Sequence, residues 1–117
     1  MKVSVAVITY NQEKTLPQTL DSILMQKGDF DLEIVIGEDC SKDHTWDICN
    51  EYATRYPNIV RLLPNSHNLG ITANYFRVLQ ACTGEFIGTI AGDDTIMMAV
   101  RTVEDTKNVM QKIKNQL

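Results

Sequence analysis

The chain has 117 residues, 44% of them hydrophobic and 22% charged, with a net charge of −4; that suffices for one domain with a buried core. The acidic balance, with no basic patch interleaved with aromatics, excludes nucleic acid or an anionic membrane as the main partner. Cys40, Cys49 and Cys82 form an odd set with no CxxC, so we expect free thiols, a reducing compartment and a cytoplasmic protein.

The run Val3-Ser4-Val5-Ala6-Val7-Ile8 is β-rich and too short for a signal peptide or a membrane span. It ends in the polar stretch Thr9-Tyr10-Asn11-Gln12. A helical pattern follows, with Leu16, Leu20, Ile23 and Leu24 on one face and Pro17 in the first turn, stopped at Lys27-Gly28-Asp29. Leu32 to Ile36 reads as a second strand, closing on Gly37-Glu38-Asp39. Ser41 and Asp43 are expected to cap the next helix, whose Trp46, Cys49, Tyr52 and Ala53 form a stripe read as core.

Ile59 to Leu63 predicts a third strand, and Pro64 to Gly70 a loop. The spacing of Tyr75, Val78, Leu79 and Cys82 predicts a helix over residues 71–82. Gly84 stops it. The apolar run Phe86 to Ala91 then reads as a strand buried on both faces, ending at Gly92-Asp93-Asp94. From Thr95 to Leu117 the pattern of Val100, Val103, Val109, Met110 and Ile113 predicts one long helix.

Strand and helix alternate throughout, which predicts a three-layer α/β/α domain with a mainly parallel sheet and right-handed crossovers. Three of the four strands end in polar or acidic residues: Thr9-Tyr10-Asn11, Glu38-Asp39 and Asp93-Asp94. Those ends share the sheet edge where open parallel sheets bind ligands. Adjacent carboxylates repel, and a divalent cation with oxygen ligands, Mg²⁺ or Mn²⁺, supplies the missing counter-charge. A solvated turn with Asp capping a following helix explains Asp93-Asp94 equally well on the pair alone; the convergence of strand ends favours function. There is no GxxxxGK[ST] and no GxGxxG, so phosphate would be held mainly by a metal. His44 and His67 are too isolated to form a metal set, and Cys40 lacks a partner base.

The motifs Val3 to Asn11, Glu33 to Thr45, Asn68-Leu69-Gly70, Thr83 to Ile87 and Asp93-Asp94 occur in an order and spacing that resembles the family-2 glycosyltransferases of the GT-A fold, over residues 2–94. The resemblance implies the Rossmann-like nucleotide-binding half of such an enzyme, with a nucleotide-sugar donor. Thr9, Tyr10 and Asn11 match the loop that packs on the nucleobase, usually uracil. Asp39 matches the carboxylate that reads a base N–H, and Glu38 stands where the family commonly has Asp. Asn68 and Gly70 match a loop whose backbone passes near the site. Asp93 and Asp94 match the end of the DxD-type motif. Asp94 is then the direct ligand of Mn²⁺ or Mg²⁺, while Asp93 compensates for Ala91 at the first acidic place or binds sugar or ribose. Tyr75 stands where the family often carries an Arg, which leaves Arg77 as the substitute candidate for a diphosphate contact.

The implied reaction transfers a sugar to a hydroxyl of a saccharide or lipid-linked acceptor, as in cell-envelope polysaccharide synthesis. In the family, the base and acceptor pocket follow the acidic motif. Here residues 95–117 follow, and their Glu104 and Asp105 match no later motif; neither is assigned as the base. We therefore expect a single domain over residues 1–117, truncated relative to the family, with apolar faces left uncovered and a homodimer as the consequence. The alternative is a non-catalytic nucleotide-sugar-binding module. A phosphoacceptor receiver domain fits poorly, because it wants its paired acids after the first strand.

Overall fold

The computed structural model describes residues 1–91 and 94–96. Its elements are β1 (Lys2–Thr9), α1 (Leu16–Leu24), β2 (Asp31–Glu38), α2 (Thr45–Arg55), β3 (Val60–Leu62), α3 (Ile71–Ala81), β4 (Phe86–Ala91) and β5 (Asp94–Ile96). The sheet order is β3-β2-β1-β4-β5. β1 pairs in parallel with β2 and β4, and β2 with β3, while β5 runs antiparallel to β4. The mainly parallel sheet predicted from the alternation of elements is the one observed.

Because successive side chains in a strand point to opposite faces, β1 and β2 feed two separate cores. Val7, Ile34 and Ile36 pack with Leu16, Leu20 and Ile23 of α1 and Cys49 and Tyr52 of α2. Ala6, Ile8, Val35 and Ile87 pack on the other face against Val78, Leu79 and Cys82, with α3 as the covering helix. Leu20, Ile34, Ile36 and Leu79 are fully buried, each contributing about 1.5–3 kcal/mol by its removal from water. At Gly37 the approach of α3 leaves no room for a side chain: a Cβ there would meet Val78 and stand 2.6 Å from Asn74 Oδ1.

The amino edge of the sheet is stapled by Glu33. Its carboxylate accepts the Ser4 hydroxyl at 2.5 Å and the Thr83 N–H at 3.0 Å, and the Ser4 oxygen in turn accepts the Gly84 N–H at 2.8 Å. Lys2 and Arg61 lie 3.8 and 3.7 Å from the same carboxylate. Burial works to raise the Glu33 pKa, but the Ser4 and Thr83 hydrogen bonds and the Lys2 charge outweigh it and hold the carboxyl below its ordinary value.

Three expectations change. Thr95 and Ile96 lie in β5, opposite Ile90 and Thr89, rather than in a helix; β-branched residues suit a pleated edge better than a helix start. The remainder of the predicted helix, with Glu104 and Asp105, lies outside the described residues. Trp46 is 38% exposed, while its neighbour Thr45 fills the buried position of the first turn of α2 and continues the inward face of Cys49 and Tyr52. Finally, Ile87 and Thr89 of β4 are buried beneath α3, whereas Phe86, Gly88 and Ile90 on the other face are only half-buried.

Candidate functional site

The sheet order reverses between the parallel neighbours β1 and β4, the switch point at which open α/β sheets bind ligands outside the strand ends. Thr9 pairs with Glu38 across β1 and β2, Ile8 with Ala91 across β1 and β4, and Ala91 with Asp94 across β4 and β5. All three polar strand ends therefore meet on one edge. Asp94 is brought there by its backbone; Asp93 lies outside the described residues.

The β1–α1 and β2–α2 loops are woven into one surface. Asn11 takes the left-handed conformation (φ 51°), which Asn tolerates better than most residues. Its N–H then donates to Ser41 Oγ at 2.8 Å while its Oδ1 accepts the Lys42 N–H at 2.7 Å. Gln12 N–H donates to Thr45 Oγ1 at 2.8 Å, and Glu13 accepts the His44 N–H at 3.1 Å. Asp43 accepts the Thr45 N–H and hydroxyl, as well as the Glu13 N–H. Burial pushes against its charge, yet these bonds hold its carboxyl below the ordinary value. The cap position of α2 is held by His44 without a side-chain bond, so Asp43 supports the helix start from one residue outside it, through the Thr45 N–H, and Ser41 ties the two loops. Buried Thr9 donates to Gln12 Oε1 at 2.7 Å. Tyr10 is 41% exposed.

Glu38 and Asp39 are adjacent, buried acids that turn to different loops. Glu38 accepts the N–H of Cys40 at 3.0 Å and of Ser41 at 2.8 Å, closing a turn in which Cys40 is left-handed (φ 58°). Asp39 accepts the N–H of Leu69 at 2.7 Å and of Gly70 at 3.0 Å, the entry to α3. Gly70 has φ 87°, a conformation that suits glycine alone. Four backbone donors do for this acidic pair what a cation does elsewhere. Each carboxylate oxygen keeps one lone pair for a further donor.

Asn68 sends its Nδ2 to the Asp39 carbonyl at 2.9 Å, which fixes the loop but spends its amide on backbone. Tyr75 packs beside the α3 core rather than reaching the edge. Arg77 donates to Asn74 Oδ1 and to the carbonyls of Pro64 and Glu38, so it is not a free cation for a diphosphate. His44 pairs with Asp47 at the surface, and His67 with Ser66. Cys49 is pushed up to about 12 by burial, with the Glu38 charge adding to it, which removes it as a nucleophile.

Sequence reasoning missed Asn65 and Asn74. Asn65 donates to the Glu38 carbonyl at 2.6 Å, and the fully buried Asn74 to the Gly37 carbonyl at 2.8 Å. Asn74 did leave a signal: it precedes Val78 by one helical turn, on the inward face. Among the described residues no three His, Cys, Asp or Glu side chains gather to hold a metal. The backbone of Asp94 lies at this strand-end edge, and a carboxylate is the hard oxygen ligand type that Mg²⁺ or Mn²⁺ takes.

The sequence profile described as "Glycosyl transferase family 2" matches residues 4–112. An uncharacterised protein of Mycobacterium tuberculosis, Rv1520, is 39% identical over 92 residues, which is 79% of this chain and 27% of that protein. The crystal structure of S. aureus TarS 1–349 in complex with UDP-GlcNAc superposes with a TM-score of 0.68 at 30% identity, covering 98% of this chain and 32% of that one. A mannosyltransferase from Pyrobaculum calidifontis, in complex with GDP-Man and Mn²⁺, gives a TM-score of 0.68 at 25% identity over 78% of this chain and 27% of that one. The chain thus spans about a third or less of the relatives it matches.

Proposed function

The chain belongs to glycosyltransferase family 2, and we propose that it carries the donor-binding half of a metal-assisted enzyme using a UDP- or dTDP-linked sugar. The observation that supports this most is the Asp39 carboxylate, fixed by two backbone N–H groups at a strand end whose backbone bonds to Thr9, the residue before the exposed Tyr10. A carboxylate only accepts hydrogen bonds, so it suits the imide N–H of uracil or thymine. Cytosine and adenine present an unprotonated ring nitrogen there, which would face it lone pair to lone pair.

In this reading Tyr10 lies against the base, and Asn11 and Thr9 hold the loop that presents it. Glu38 shapes the turn from below, while the backbone of Asn68 to Gly70 borders the nucleotide. Asp94 would hold Mn²⁺ or Mg²⁺, a role that Asp93 would share or exchange for one toward the ribose or sugar; a bound ion would supply Lewis-acid stabilisation of the leaving diphosphate. An acceptor hydroxyl, on a saccharide or a lipid-linked carrier such as cell-envelope synthesis uses, attacks the anomeric carbon. A base must take its proton, and no residue of this chain is assigned that role.

Because family members are longer, the second reading is a donor-binding module that transfers little sugar by itself. Losing base catalysis costs about 10²–10⁴-fold and losing acceptor positioning more. We further propose a homodimer and a cytoplasmic location; Cys40, Cys49 and Cys82 are free thiols, which suits a reducing compartment. Among the described residues no helix is long and apolar enough to cross a membrane.

Calorimetry with UDP, dTDP, CDP and ADP tests the donor assignment. UDP and dTDP should bind better, and Asp39→Asn should cost about 1–3 kcal/mol of that affinity. Equal affinity for all four would refute it. Turnover of nucleotide sugar separates an enzyme from a module.

A further inference from the structure

The loop between β3 and α3 carries both N–H groups that orient Asp39, and it has little apolar anchorage. Among the residues from Pro64 to Gly70 none is buried. Polar bonds to the end of β2 hold it instead. Asn65 takes the Glu38 carbonyl at 2.6 Å and Asn68 the Asp39 carbonyl at 2.9 Å.

One guanidinium links this loop to the helix behind it. Arg77 Nη1 donates to the Pro64 carbonyl at 2.6 Å, Nη2 to the Glu38 carbonyl at 3.3 Å and Nε to Asn74 Oδ1 at 2.8 Å. Asn74 is fully buried and spends its own Nδ2 on the Gly37 carbonyl at 2.8 Å. The relay therefore grips three successive points: the carbonyls of Gly37 and Glu38 at the end of β2, and the carbonyl of Pro64 at the start of the loop. Space enforces it, since α3 approaches β2 so closely at Gly37 that only glycine fits.

We propose that Arg77, acting through Asn74 and the Pro64 and Glu38 carbonyls, is a positioning residue that holds the Leu69 and Gly70 N–H groups on Asp39 and so sets base selectivity. Its guanidinium is spent on protein acceptors. A fork with three separate donors can bridge a strand end, a loop and a helix side chain at once, which the single ammonium of Lys cannot. The loop joins Pro64 to Gly70, so releasing its first residue lets its last two amides drift from the carboxylate. Asp39 then keeps its charge but loses its direction. The inference rests on the proposed donor reading for its selectivity part, while its loop part can be read without any nucleotide.

The experiment uses this chain with Arg77→Met, which keeps the stem and removes every donor, and Arg77→Lys. Amide hydrogen exchange without nucleotide comes first. The Leu69 and Gly70 amides should exchange about tenfold faster or more in Arg77→Met while the amides of β1 and β2 stay protected. Calorimetry follows. The ratio of UDP to CDP affinity should fall about tenfold, the size of one charge-assisted hydrogen bond. A residue that only stabilised the fold would change the folded fraction and leave that ratio alone. Arg77→Lys should lie between, and Arg77→Met added to Asp39→Asn should lower the ratio no further, since both act through one carboxylate. If Arg77→Met does not fold, Arg77→Lys carries both readouts. Unchanged exchange at Leu69 and Gly70, or faster exchange with an unchanged ratio, overturns the inference. A wild-type chain that binds UDP and CDP alike refutes the donor reading, and is seen before any variant is measured.

Discussion

Replacing Glu38 with Gln separates two roles for a buried acid at a strand end. Glu38 is 1% exposed, and its two oxygens accept the Cys40 and Ser41 N–H groups at 3.0 and 2.8 Å. Gln keeps the shape and one acceptor oxygen, but its amide nitrogen must face the other N–H, donor against donor. One charge-assisted bond is lost, worth about 1.5–3 kcal/mol, and a buried N–H is left without a partner. Those bonds also hold Cys40 at positive φ, a conformation that costs a side-chain-bearing residue about 1–2 kcal/mol. Relief of the buried charge offsets part of the loss. We therefore expect Glu38→Gln to lower stability by about 2 kcal/mol, or a Tm lower by about 8 °C for a chain of this size. Urea and thermal unfolding followed by circular dichroism, without nucleotide, measure it. An acid retained only to bind a ligand behaves oppositely: neutralising it leaves the free protein equally stable or more so. That result would refute Glu38 as the support of the turn.

Glu33 predicts a pH dependence of stability. Its pKa is held below the ordinary 4.5, so its contribution is complete above that value and is lost as pH falls through the lower folded-state pKa; urea midpoints from pH 6 to 3 should fall more steeply in wild type than in Glu33→Gln. Gly37→Ala should cost about 1–3 kcal/mol, since its Cβ meets Val78 and Asn74; an unaffected Tm would show that α3 has room to move. In native protein at pH 8 a thiol reagent should modify half-buried Cys40, while Cys49 and Cys82, both pushed up to about 12 by burial, react only on unfolding.

The strands and helices through residue 91 were legible because their apolar periods are unambiguous: 3.6 in α1 and α3, and near-continuous runs in β1 and β2. The shared edge followed from topology alone. Side-chain assignments at that edge were less legible, because adjacent acids look the same in sequence whether water, a metal or backbone amides balance them. Glu38 and Asp39 show the third solution, four N–H donors from two loop segments. Those donors come from residues up to 31 positions away, beyond any local pattern. Arg77 illustrates the same limit. Its distance in sequence from a family arginine suggested a phosphate contact, whereas the fold spends its donors on carbonyls. The helical apolar spacing beyond Thr95 and Ile96 predicts helix there too, but pairing with Ile90 and Thr89 makes them strand.

The most direct test of donor binding is the metal dependence of UDP affinity in wild type and in Asp94→Asn. The account predicts that Mn²⁺ raises wild-type affinity by about tenfold or more, equivalent to about 1.4 kcal/mol, and that a chelator reverses it. Asp94→Asn should lose most of that gain with an unchanged Tm, and Asp93→Asn should lose less. UDP binding that is indifferent to Mn²⁺, or a gain that Asp94→Asn retains in full, would contradict it.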